Sequence, residues 1–447
     1  MSSLRSPSAT VWLFRKEWRA LMASSSWWVM LVLIGPLVGV SFISATRTYA
    51  ELSVHDAAAG VGEAFSPLIG VWAPTFSACE LAAAFLLPFV AIRVAASDRM
   101  SGALKIELQR PLSPLVRVGV KTLILLAGWG IASLAPVLGI VLWQMAGGSV
   151  YLPEVATVLA GHLVNAALTV SLAAAAATVT DHPSTAAIVT LGVTVGTWVL
   201  SFVAAVHGGF WERAAEYTPT AIVSDFQHGL IRLSVVLAAM TLIVTGLWIT
   251  AIWLQLGRTI RRRVVESLLV AAGASVLLVV APMVRGSWDT SENRMNSFAH
   301  ADERRLRAID EPLRITAYLA PEDPRRSDLE RQALAKLRRV MRDIDVRYVS
   351  TTTTGLFEQT SEHYGEIHYR LGSRETVSRS TTVEGVLDAL YALSSQTPTD
   401  GFEEDDRDPQ FRGHPLARRP TGAELVFYGA WPAITLLAAL RRRRRGS

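Results

Sequence analysis

His363 and His368 stand five residues apart, and paired imidazoles at short spacing are a usual starting point for a zinc site. They lack the H-E-x-x-H helix that would turn both rings toward one ion, and they straddle an expected loop-to-strand boundary, so they read as ordinary surface histidines. Hydroxyls are abundant at Ser350 to Thr354 and Ser378 to Thr382, but no G-x-S-x-G elbow accompanies them. A phosphate cradle needs G-x-x-x-x-G-K-[ST]. Gly119-Val120-Lys121-Thr122 lacks the glycine immediately before its lysine and sits at the start of an apolar block. No catalytic residue, cofactor or metal ion is expected from these patterns, and the chain reads as a non-enzyme.

The remaining reactive side chains lie inside apolar blocks, where a charge is costly unless paired or hydrated. Arg93 is placed to snorkel to water. His162 and Asn165, three apart, read as interhelical hydrogen-bonding groups. Glu80 reads as a hydrated carboxylate near a membrane surface. Trp211 and Tyr217 fit an aromatic belt beside a polar helix containing Asp225, His228 and Gly229.

The apolar blocks organise everything else. The 447 residues are 51% hydrophobic and 18% charged, more apolar than a soluble core of this size requires. Blocks at 27–45, 77–96, 120–143, 154–179, 186–206, 233–255, 264–284 and 424–440 are long enough to cross a bilayer. Lys and Arg concentrate before the first block, after the second and after the sixth, which puts both termini in the cytoplasm. The same clustering beside apolar blocks, in place of one continuous stripe, argues against nucleic acid despite a net charge of +5. Cys79 stands alone, so no disulfide within the chain is possible.

Residues 285–395 are the large polar segment and are expected outside the cytoplasm. Leu313 to Leu319 alternates like a strand. Asp328 to Arg342 carries Leu329, Leu334, Leu337 and Met341 at helical spacing, and Asp345 to Val349 suggests a second strand. A hairpin is expected around Gly372-Ser373, then a helix over Thr382 to Leu393. Residues 396–423, rich in Asp, Glu, Pro and Arg, read as a flexible tether.

Val11 to Met22 places Val11, Phe14, Trp18, Leu21 and Met22 on one helical face, with Arg15, Lys16 and Arg19 outside it. Such a helix either lies flat on the inner leaflet or serves as a charged topology anchor. Ser97 to Ser113 reads as a polar helix ended by Pro111, either a lever that receives force or an ordinary solvated loop.

These segments carry a resemblance. The Arg15-Lys16-Glu17-Trp18 amphipathic lead-in, six spans, and Asp98-Arg99-x-Ser101-Gly102-x-Leu104 with Arg110-Pro111-Leu112-Ser113 resemble ABC-2 type transporter permeases over roughly residues 8–260. In that family the lead-in helix and the loop after the second span form the surface on which a separate ATPase docks. The resemblance implies this role for Arg15, Lys16, Glu17, Arg19, Asp98, Arg99, Ser101, Gly102, Leu104, Arg110 and Pro111. The stretch from Trp288 to Phe298, with Leu313 to Tyr318, Tyr364-Gly365-Glu366 and Gly372 to Arg374, resembles the auxiliary component of gliding-motility-type ABC exporters in a shortened form.

The expected fold is a polytopic α-helical membrane protein of about eight spans with a small extracytoplasmic α/β domain. Its parts are an amphipathic segment (1–26), a six-helix permease (27–260), a seventh span (261–284), the external domain (285–395), the tether (396–423) and an eighth span with a basic tail (424–447). The resemblance implies a permease subunit, an exporter of the bacterial cytoplasmic (inner) membrane. Its expected partners are an ABC ATPase subunit, membrane lipid, a second copy or a similar permease, and an envelope partner at the external domain. The rival reading is an envelope scaffold that does not transport, anchored by its helices.

Overall fold

The computed structural model describes residues 9–59, 66–100, 102–103, 107, 109, 112–207, 210–255, 257–320, 323–341, 343–349, 363–394, 413–416 and 418–446. It is mostly helical and divides into two compact units, Met1–Thr290 with Arg412–Ser447, and Ser291–Phe411.

In the first unit, α1 (Ala9–Ala23) is followed by α2 (Ser25–Ala59) across a single residue, Ser24. The Trp28 indole donates to the Met22 carbonyl at 2.8 Å and so satisfies one of the bare carbonyls at the end of α1. A wide π turn (Leu68–Trp72), α3 (Ala73–Phe85) and α4 (Leu87–Met100) form one composite span. Next come α5 (Pro114–Ala132), capped by Ser113, and α6 (Leu134–Met145), which together make the third. The helices α7 (Leu152–Val179), α8 (Pro183–His207), α9 (Phe210–Ala215) and α10 (Pro219–Gln227) lead to β1 (Leu230–Arg232). After α11 (Leu233–Trp253) and α12 (Ile260–Val280), β2 (Ser287–Asp289) pairs antiparallel with β1.

Among the described residues, seven helices are long and apolar enough to cross a membrane, and each coincides with one of the first seven expected blocks. The eighth block also folds as helix, but its apolar run is shorter and ends in arginines, so it falls outside that set. Two other expectations change. The polar helix drawn through Gly229 stops at Gln227, because Gly229 takes a left-handed φ of +73° that turns the chain into β1. The helix drawn through Ser97 to Ser113 is interrupted: Ser97 to Met100 form the last turn of α4, Gly102 adopts φ +76°, Ala103 and Glu107 are helical again, and 101, 104–106, 108, 110 and 111 lie outside the described residues.

In the second unit, α13 (His300–Arg307) precedes β3 (Leu313–Ala317). A helical stretch then runs through α14 (Pro324–Asp328), a π turn (Leu329–Leu334) and α15 (Ala335–Val340) to β4 (Ile344–Tyr348). The β5 (Ile367–Leu371) and β6 (Arg374–Ser378) hairpin and α16 (Val383–Ser394) complete it. The sheet order is β4-β3-β5-β6, with β3 and β4 parallel and the other pairs antiparallel. Leu313, Ile315 and Ala317 of β3 and Ile367, Tyr369 and Leu371 of β5 bury one sheet face against Leu329, Leu334, Leu337, Val386 and Leu390. Alternation along β3 and β5 and helical spacing beside them made this core readable in advance. The unit begins at Ser291 in place of 285, since Ser287–Asp289 is tied to β1.

The chain returns to the first unit with Tyr49 donating to the His414 carbonyl at 2.8 Å and Arg419 pairing with Glu51 at 2.7 Å. Those contacts hold the end of the expected tether; its part from 396 to 412 lies outside the described residues. A π turn (Leu425–Ala430) and α17 (Trp431–Gly446) then pack along α2. Gly35 and Gly39 make the close approach possible: a Cβ on Gly35 would lie 2.1 Å from Trp431, and one on Gly39 2.5 Å from Phe427. The Trp431 indole donates to the Leu31 carbonyl at 2.6 Å, beside Pro36.

Candidate functional site

The helix α1 buries Leu13, Glu17 and Leu21, spaced four apart and therefore on one face. This differs from the expected apolar stripe, because Phe14 and Val11 are exposed and a carboxylate occupies the centre of the buried face. Gly128 of α5 admits that face: a Cβ there would meet Leu21 at 2.9 Å.

A buried carboxylate needs a cation, and Glu17 has two. Lys16 Nζ lies 2.9 Å from Glu17 Oε1, 2.6 Å from Asp98 Oδ2 and 2.6 Å from Glu107 Oε2. Its three N–H donors thus meet three carboxylates. Lys121 Nζ lies 3.2 Å from Glu17 Oε1 and also bonds Asp98 Oδ2. Arg117 Nη2 donates to the Glu107 carbonyl at 3.1 Å. Glu17, Asp98, Glu107 and Arg117 are 1%, 7%, 2% and 4% exposed. Two lysines thus pair with three buried carboxylates, and Arg117 ties the Glu107 backbone to α5.

Burial alone would push the Lys16 ammonium toward neutrality. Asp98, Glu107 and Glu17 outweigh it and hold the pKa above the ordinary lysine value. The carboxylates of Glu17, Asp98 and Glu107 converge closely enough to suit a metal ion, but the Lys16 and Lys121 ammoniums already stand among them. Lys121, the lysine of the Gly119–Thr122 decoy, thus serves the network from inside α5.

Breaking a buried ion pair from one side costs about 3–5 kcal/mol, which makes such a network a lock even where its net contribution to stability is small. Here it joins α1, the end of α4, the connecting segment at Glu107 and the first turns of α5 into one body. Of the residues expected to meet an ATPase, Arg15 and Arg19 are exposed on this body and Lys16 is partly exposed. Glu17 and Asp98 lie beneath the surface. Gly102 is exposed; Ser101, Leu104, Arg110 and Pro111 lie outside the described residues, as does the side chain of Arg99. Glu107, Arg117 and Lys121, not among those expected residues, are part of the charge network.

A cavity of about 390 Å³ opens among α3, α7, α8, α10 and α11, walled by Leu172, Val193, Trp198 and Ile249. Asn165 is 3% exposed and lines it, and Glu80 and Thr220 lie at its wall. His162 points elsewhere, toward the Gln227 amide at 3.4 Å and the Phe76 ring at 5.2 Å. Arg93 is exposed.

Comparison with protein-family models, with curated proteins and with solved structures finds no match to this chain.

Proposed function

We propose that this chain is the transmembrane permease subunit of an ABC transporter, an exporter whose ATP hydrolysis is carried out by a separate ATPase. The observation that carries the reading is the buried charge network. A nucleotide-driven stroke does work in the membrane only if the parts it pushes are rigidly joined to spans. Lys16 and Lys121 join α1 and the segment after α4 to the second and third spans, so force on either is delivered to both. Arg15, Arg19 and the exposed Phe14 face outward from this body and supply the contact for an acidic, partly apolar ATPase groove.

In this reading the basic flanks are cytoplasmic. The helix formed by 425–446, packed on the glycines of α2 with Leu425, Ile434 and Leu437 exposed, is an eighth crossing. Both termini are then cytoplasmic and unit 291–411 is external, where it guides cargo or recruits an envelope partner. The apolar cavity beside Asn165 suits a cargo with a hydrophobic part.

The test is purification of the chain from its native membrane in gentle detergent, with mass spectrometry and an ATPase assay on the eluate. Co-purification of an ATPase, weakened by a combined Arg15→Glu and Arg19→Glu change, supports the proposal. Recovery of envelope proteins alone, with no ATPase that stimulates transport, replaces it with a scaffold.

A further inference from the structure

The α/β unit holds a second cluster, formed where a turn meets a strand. Period-two alternation on β5 sends Ile367, Tyr369 and Leu371 into the core and leaves Glu366 and His368 on the opposite side. His363-Tyr364-Gly365-Glu366 is a tight turn, with Glu366 N–H donating to the His363 carbonyl at 3.0 Å and Gly365 at φ +87°. The turn is pinned to the end of β3 twice. Gly365 N–H donates to the Tyr318 carbonyl at 2.9 Å, and Tyr318 N–H donates to the Glu366 carbonyl at 2.9 Å.

The fold therefore brings His363 back over the outer face of β5. His363 Nδ1 lies 2.9 Å from Glu366 Oε2, and His368 Nε2 lies 3.3 Å from the same oxygen. All three ligand atoms fall within 4.8 Å of one another. Metal–ligand bonds of about 2.0–2.2 Å at tetrahedral angles set neighbouring donors about 3.3 Å apart, so this triangle needs little adjustment.

A supporting layer surrounds it. Glu375 Oε1 lies 3.3 Å from His368 Nδ1, which leaves Nε2 for an ion, the usual carboxylate–histidine–metal arrangement. Arg379 holds Glu366 Oε1 at 3.0 Å and leaves Oε2 in the triangle. The Tyr318 ring packs on both imidazoles, 5.8 Å from His363 and 5.2 Å from His368.

The geometry points to a divalent transition-metal site, best suited to zinc, with His363, Glu366 and His368 as its three protein ligands and a fourth position open to water or to a donor from another molecule. Two imidazoles and one carboxylate are the borderline donor set that zinc takes, and three protein ligands with an open position mark a site that can engage something further.

The experiment uses the full chain in detergent, purified without a histidine tag, stripped with chelator and titrated with Zn²⁺ by calorimetry. Visible absorption with Co²⁺ reports the coordination number. The expected result is one zinc per chain. Binding should weaken about 10–100-fold in Glu375→Gln, by the usual cost of losing an outer-layer partner, and at least as much in His363→Ala, Glu366→Gln or His368→Ala. His182→Ala, which changes an exposed histidine of the other unit, should bind as the parent does. Thermal unfolding of each stripped variant checks that the fold is intact, and the near-isosteric Glu366→Gln guards against loss by misfolding. A parent chain that binds less than one zinc, or a triple variant that binds it unchanged, overturns the assignment.

Discussion

Replacing Lys16 with methionine keeps most of the apolar stem and removes one ammonium. Contacts at 2.9, 2.6 and 2.6 Å to Glu17, Asp98 and Glu107 vanish together. Lys121 still reaches Glu17 and Asp98, but the Glu107 side chain loses the one cation that pairs with it among the described residues. With the Lys16 side chain 23% exposed, the cost belongs at the lower end of the range for breaking a buried pair, about 3 kcal/mol. For a unit of this size that is a fall of about 4 °C in Tm.

The assay is thermal unfolding of the detergent-solubilised chain at a fixed scan rate, since membrane proteins of this length commonly unfold irreversibly. Adding Glu107→Gln should recover part of the loss, because it removes the charge left behind, and a coupling of about 0.5–3 kcal/mol is typical of contacting groups. The sign with pH is fixed. A lysine whose folded pKa is raised contributes fully below its ordinary value of 10.5 and loses that contribution only as pH climbs through the folded value. The gap between parent and variant should therefore be constant from pH 6 to pH 9. A variant that melts with the parent, with no recovery in the double change, would refute the claim that these charges lock the helices.

Other outcomes follow from the same coordinates. Gly35→Leu forces a side chain into space held by Trp431, so the C-terminal helix should lose about 1–3 kcal/mol of docking and become sensitive to protease near its end. Asp323, held by Arg325 and Tyr364, has its pKa lowered to about 2, so its contribution is complete above 3.8 and disappears as pH falls through about 2. Asp323→Asn should therefore speed hydrogen exchange in 313–371 at neutral pH and converge with the parent in strong acid. Tyr348→Phe removes a hydroxyl that donates to Glu330 and should cost about 0.5–1.5 kcal/mol, read as faster exchange in β4.

Local pattern was enough for the elements that pattern defines. Seven spans were readable as long, mostly apolar runs, and Gly372-Ser373 between alternating segments was readable as a hairpin. The charge network was not, because it joins residues 16–17, 98, 107 and 117–121, and charges in basic flanks are solvated unless the fold closes over them. One signal was present: Glu17 sits midway between Leu13 and Leu21, on a face that otherwise buries leucine. The histidine pair was set aside for lacking a helix, whereas a glycine turn and strand alternation bring the rings together just as well. The β1–β2 pairing, three residues on each side of two spans, carried no periodicity at all.

The contact between Trp431 and Leu31 joins positions 400 residues apart. At about 5–20 residues per second, a ribosome needs about 20–80 s to travel that distance. For all of that time the glycine face of the first span has no partner from its own chain. The helix α17 is thus a latch that closes only after the intervening polar unit has been made, and a chain truncated within that unit would leave the glycine face of its first span uncovered.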